Sequence, residues 1–166
     1  AELPEDAKRF PGSAWLKQLL SRNVFYVDLE QQDLASPSPP ETDLNLRDRG
    51  HNLPHLVAAL RKGHPRRFRS WLSHVQTALP DLRSVRVVQR PEDRRSYLML
   101  KYANGLEVPS WAASEGTLRL LALTVLPYDP AFQPVCLIEE PENSIHPLNL
   151  ETVMQSLESV YEGQVL

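Results

Sequence analysis

Glycine is scarce in this chain, six in 166 residues, and no segment approximates G-x-x-x-x-G-K-[ST]. The glycine-rich cradle and lysine that such a loop offers to nucleotide phosphates are therefore missing from this sequence. Cysteine is scarcer still. The single one, Cys136, excludes an internal disulfide and sits in an apolar run, where it reads as a small buried hydrophobe. The five histidines (His51, His55, His64, His74 and His146) are not grouped with cysteines or acids at metal-ligand spacing. No apolar run approaches the roughly 18 residues needed to cross a bilayer. The N-terminal stretch is acidic and lacks the apolar core of a signal peptide. The expectation is a cytoplasmic protein that does not enter a membrane.

The apolar content, 42%, suffices for one core at this length. Fifteen prolines mark many element boundaries, and Pro37, Pro39 and Pro40 make residues 35–42 a loop. Residues 13–20 read as a short helix with Trp15, Leu16, Leu19 and Leu20 on its buried side, and residues 23–29 as a strand. Leu53, Leu56, Val57 and Leu60 mark one helix. Phe68, Leu72, Val75 and Leu79 mark another, begun by Pro65 and ended by Pro80. Residues 85–89, 97–102 and 106–108 read as strands, with Asn104-Gly105 a hairpin turn between the last two. Leu118, Leu121, Ala122 and Val125 recur at helical spacing over about 115–126. Leu150, Val153, Met154, Leu157 and Val160 do the same, with Gly163 as a C-terminal cap before a final apolar run at 164–166. No internal repeat occurs.

Two motifs carry chemistry. Val135 to Ile138 form an unbroken apolar run, fit for a strand buried on both faces of a parallel sheet. It runs directly into Glu139 and Glu140 and then Pro141. In open parallel sheets the ligand crevice lies at the carboxyl ends of the strands. Two acids there suit a magnesium ion and a water held on a phosphate. The same pattern also fits a buried strand that leaves the core through a charged turn. Upstream, Ser114 stands where the N-cap of the 115–126 helix belongs, and Gly116 lets a backbone or a ligand approach its first turn. A helix N-terminus has unpaired N–H groups and a positive dipole end, which favour an anion. Taken alone, Ser114 reads as a plain cap; the acid-tipped strand that follows favours the functional reading.

The order Ser-x-Gly-x-x-Arg helix, apolar strand ending Glu-Glu-Pro, then Asn-Ser-Ile-His-Pro resembles the second half of an ABC-type ATPase head. It is most similar to the bacterial AAA-domain group related to RecF, SMC and the overcoming-lysogenization-defect ATPases. The resemblance covers residues 105–166 and implies an α/β fold: a partial P-loop NTPase head with a parallel core strand and a signature helix. Residues 1–104 would be its helical and β-hairpin subdomain, and 105–166 its signature-helix and Walker B lobe. The cofactors implied are ATP and Mg²⁺. Ser114, Gly116 and Thr117 match signature positions that contact nucleotide on a partner subunit. Glu139 matches the acid that holds Mg²⁺, and Glu140 the catalytic acid that orients the attacking water. Ser144, Ile145 and His146 fall at the D-loop of the dimer interface, with His146 where many relatives have Asp. Arg119 points from the signature helix toward that interface or makes a surface salt bridge. With no phosphate loop in the sequence, and no switch histidine after its final apolar run, these residues read as a segment of a larger ATPase.

Charge is unevenly spread. Ten lysines and arginines lie between Arg61 and Arg95 against three acids, a balance of +7 in a chain of formal net charge −3. Arg61, Lys62, Arg66, Arg67 and Arg69 are the densest part and the candidates for a nucleic-acid contact. A solvated helix face and turn explain the same charges, and no interleaved aromatics suggest base stacking. The expected function is an ATP-hydrolysing homodimer that drives or gates DNA-associated or effector (nuclease or toxin) activity, in anti-phage defence or DNA repair. The alternative is a non-catalytic interaction or nucleic-acid-binding domain that keeps the fold.

Overall fold

The computed structural model describes residues 9–22, 24–40, 46, 49–130, 135–159 and 164–165, with backbone alone at 18–22 and 164–165. Helix α1 (Pro11–Arg22) leads into strand β1 (Val24–Val27) and a short helix α2 (Gln31–Ala35). Two consecutive helices follow, α3 (Leu53–Gly63) and α4 (Pro65–Ala78), each with proline in its first turn. Proline suits that position because its φ is already helical and no N–H is needed there. Next come strands β2 (Leu82–Gln89), β3 (Ser96–Tyr102) and β4 (Glu107–Pro109), then helix α5 (Glu115–Val125), strand β5 (Val135–Ile138), helix α6 (Pro147–Glu158) and strand β6 (Gln164–Val165).

The strands form two sheets. β2, β3 and β4 make an antiparallel meander, and β1, β5 and β6 a parallel sheet with β5 in the centre. In the meander a register shift between Leu82 and Ser84 lets Leu82 and Val85, three residues apart, both point inward with Leu98 and Leu100. The Asn104-Gly105 turn is as expected. Gly105 has φ +85°, open to glycine without strain, and Asn104 Oδ1 accepts from the Leu106 amide at 3.0 Å. The parallel sheet takes β1 from residues 1–104, so it joins the two segments read from the sequence.

One apolar cluster runs through the molecule, from Val27 and Cys136 of the parallel sheet to Leu121 of α5, Trp71 of α4 and Val153 of α6. α5 is buried all round, from Leu118 to Val125. Its polar groups are satisfied, as burial requires: Thr124 Oγ1 donates to Leu120 O at 2.6 Å and accepts from Trp71 Nε1 at 3.1 Å.

Four expectations need correction. β5 is buried on one face only. Cys136 is fully buried, but Leu137 is 36% and its neighbour Tyr26 46% exposed, because among the described residues the core meets the Val27 and Cys136 side of the sheet. Trp15 and Leu16 of α1 are exposed, since α1 lies beside the edge strand, where there is little sheet to cover. Arg119 is neither at the surface nor directed outward. It is buried, with its guanidinium donating to Leu29 O at 2.6 Å and to Glu115 Oε1 at 3.1 Å. Met154, expected to pack, is also exposed. The Leu19 and Leu20 side chains, Val160, the Gly163 cap and Leu166 lie outside the described residues.

Candidate active site at the tip of the parallel sheet

The ladder of β5 carries one residue past the strand: the Glu139 amide donates to Val27 O at 2.9 Å. Glu139 thus leaves the sheet from an anchored backbone, while both acids are exposed. At Glu140 the chain breaks into left-handed backbone, φ +45°, and it does so again at Ser144, φ +59°. Such conformations cost a non-glycine residue about 1–3 kcal/mol and persist only where the surroundings impose them. Here a tight turn imposes them. The Asn143 amide donates to Glu140 O at 3.0 Å and the Ile145 amide to Glu142 O at 3.2 Å. Asn143 Nδ2 also donates to Glu140 Oε2 at 3.2 Å, which holds that carboxylate over its own turn. Ile145 is buried and pins the turn to the core. His146 then caps α6, its Nδ1 accepting from the Leu148 amide at 3.2 Å, the task an Asp side chain performs at an N-cap.

The start of α5 lies against this turn. Ser114 Oγ accepts from the Thr117 amide at 3.2 Å and contacts Thr117 Oγ1 at 2.8 Å, so the serine is a cap. Gly116 is a glycine for packing: a Cβ there would lie 2.3 Å from the Ser144 carbonyl oxygen. Of the two approaches Gly116 could permit, the structure contains the backbone one. The start of α5 at Gly116 and the turn at Ser144 are therefore brought together, although the motifs are separated in sequence. Beside Ser114 and Thr117 opens a cavity of about 490 Å³, also lined by Asp81, Tyr102, Asn104 and Leu106. Neither acid lines it.

The donor set suits magnesium. Mg²⁺ binds through one or two carboxylates and completes its shell with phosphate and water. Glu139 and Glu140 offer hard oxygen donors, whereas the described residues hold no cluster of three or more His, Cys, Asp or Glu that would make a complete cage. Two contributors had no signal in the sequence. Asn143 lies within the Asn-Ser-Ile-His-Pro motif with no role of its own read there, and Tyr26 of β1 donates a hydrogen bond to Glu139 Oε2 from a distant segment.

The basic residues divide. Arg61 and Lys62 end α3, Arg66, Arg67 and Arg69 begin α4, and all five are exposed. Arg61 lies over the Phe68 ring, 5.7 Å from its centroid. Farther along, Arg86 pairs with Glu107 at 2.7 Å. Arg90 and Arg95 pair with Asp93, and the Arg90 hydrogen bond holds the Asp93 carboxyl below its usual range. Those charges are neutralised locally. The structure also makes an aromatic pair that the sequence hides, Tyr97 and Trp111 with ring centroids 4.7 Å apart.

A mixed α/β fold with one parallel and one antiparallel sheet among helices is consistent with a partial P-loop NTPase domain. Over residues 12–166 the sequence matches the family described as "AAA domain, putative AbiEii toxin, Type IV TA system", and the chain belongs to that family. No curated protein and no solved structure gives a match. No helix among the described residues is long and apolar enough to cross a membrane.

Proposed function

We propose that this chain supplies the signature-helix and Walker B half of an ABC-type ATPase head that closes as a homodimer over ATP and Mg²⁺. The observation that carries the reading is the contact of Gly116 with Ser144, which packs the helix start against the turn that bears Glu140. Ser114, Glu139 and Glu140 are all exposed, which supports a half-site completed by another subunit. Bound Mg²⁺ would neutralise the phosphates. Glu139 takes the metal. Glu140, steadied by Asn143, orients the attacking water, since positioning supplies most of the catalysis in phosphoryl transfer. Ser114, Gly116 and Thr117 offer the helix N-terminus to the γ-phosphate held by the partner, and Ser144 to His146 line the dimer contact. The output of the cycle would reach DNA or an effector nuclease or toxin in the cytoplasm.

The test is Glu140→Gln in the full-length protein. Gln keeps the volume but loses the charge that polarises water, so hydrolysis should stop while ATP binding persists. The ATP-bound dimer should then accumulate as a larger species in light scattering. Wild-type turnover in this variant would remove Glu140 from the catalytic role. A second reading, a nucleic-acid-binding domain that retains the fold, draws on the exposed Arg66, Arg67 and Arg69 at the start of α4.

A further inference from the structure

Tyr26 is not explained by packing or by the motifs. β1 and β5 run parallel with Tyr26 opposite Leu137, and side chains two residues apart on a strand share a face. Tyr26, Leu137 and Glu139 therefore line up on the open side of the sheet. From there the Tyr26 hydroxyl donates a hydrogen bond to Glu139 Oε2 across 113 residues of sequence. The contact is created by strand pairing and by nothing local.

An exposed glutamate at a strand tip samples several rotamers, and a metal must freeze them at an entropic cost. A carboxylate has two oxygens and about four lone-pair positions. A phenol bound at Oε2 fixes the side chain and leaves Oε1 available to a cation. Hydrogen bonds to an ionised carboxylate are roughly twice as strong as neutral ones. Phenylalanine would fill the same half-exposed surface, so the hydroxyl is the part that matters.

We propose that Tyr26 is a positioning residue for the metal-binding carboxylate: its hydroxyl holds Glu139 in the orientation that receives Mg²⁺. This rests on the reading of Glu139 as the Mg²⁺ ligand given above. Loss of an outer-shell partner typically costs about 10–100-fold in metal affinity or activity.

The experiment uses full-length protein as wild type, Tyr26→Phe and Glu139→Gln. Mn²⁺ serves as the probe, and free Mn²⁺ is followed by electron paramagnetic resonance with a non-hydrolysable ATP analogue present. Tyr26→Phe should weaken Mn²⁺ binding about tenfold without moving the melting temperature. The Mg²⁺ concentration for half-maximal turnover should rise by the same factor. kcat should recover at saturating Mg²⁺, and half-saturation by ATP should be unchanged there. Wild-type Mn²⁺ affinity in Tyr26→Phe, alongside a loss in Glu139→Gln, overturns the positioning role and leaves Glu139 as ligand. Wild-type affinity in both variants overturns the metal assignment itself and the proposal with it.

Discussion

Replacing Gly116 with alanine tests the junction between the two motifs. The new methyl carbon would stand 2.3 Å from Ser144 O, with Ser144 C at 3.3 Å and Ile145 Cα at 3.6 Å, and real Cβ contacts essentially never fall under 3.0 Å. The turn must therefore retreat by at least ~0.7 Å, the difference between those two distances. All three neighbours are backbone atoms, so no side-chain rotation relieves the clash. Two effects on stability oppose each other. Alanine is favoured over glycine in a helix by about 1 kcal/mol, while overpacking costs about 1–3 kcal/mol. The net loss is then about 0–2 kcal/mol, a fall in melting temperature of a few degrees at roughly 2–4 °C per kcal/mol for a domain of this size. Turnover should suffer far more. Glu140 rides on the displaced turn, and a misplacement near 1 Å can cost about a hundredfold in rate. ATPase activity and thermal unfolding measured side by side on full-length Gly116→Ala should show a ten- to hundredfold loss of kcat, about what that displacement implies, in a folded protein. Turnover within twofold of wild type would refute the argument that the contact sets the catalytic geometry.

Two further outcomes are expected. Cys136 is fully buried and burial pushes its thiol up to about 12, so at pH 8 roughly one molecule in ten thousand carries the thiolate. Native protein should resist maleimide or disulfide reagents and react on unfolding. The unfolded thiol ionises near its ordinary value of 9.0 while the folded one keeps its proton. The contribution of Cys136 to stability is therefore complete below that pH and falls as pH rises toward 12. Rapid labelling of the native state at pH 8 would contradict this. Reversing Arg66, Arg67 and Arg69 together to glutamate should weaken any DNA or RNA binding for all sequences alike and flatten its salt dependence; absence of binding by the wild type at low salt retires the nucleic-acid reading.

Periodic elements were legible. Apolar residues every three or four positions located α3, α4, α5 and α6, and Asn104-Gly105 located the turn between β3 and β4, because those signals are local. α2 carries no such signal, since Gln31–Ala35 is too short and polar to show a period. Burial was legible less evenly. The stripe of Trp15 and Leu16 has the spacing of a buried face, but spacing cannot say whether a neighbour is there to cover it. Arg119 reads as a surface cation, yet it is buried because the Leu29 carbonyl waits for it across the fold. At the candidate site, Glu139, Glu140, Ser114 and Gly116 were singled out by motif order. That the close partner of Gly116 is Ser144, and that Tyr26 reaches Glu139, are facts of tertiary approach with no trace in local sequence.

The open face of the parallel sheet also bears on how this protein behaves in the tube. Parallel sheets are ordinarily covered on both sides, yet Tyr26 and Leu137 are exposed here. Such a strip should take up some ANS in the native state, so dye fluorescence at zero denaturant would not by itself signify a molten globule, which is judged by loss of near-ultraviolet circular dichroism. Ammonium sulfate strengthens apolar burial and urea weakens it, so the first should favour and the second oppose face-to-face contact of such molecules. Association on salting out should then arise from the folded sheet rather than from unfolding.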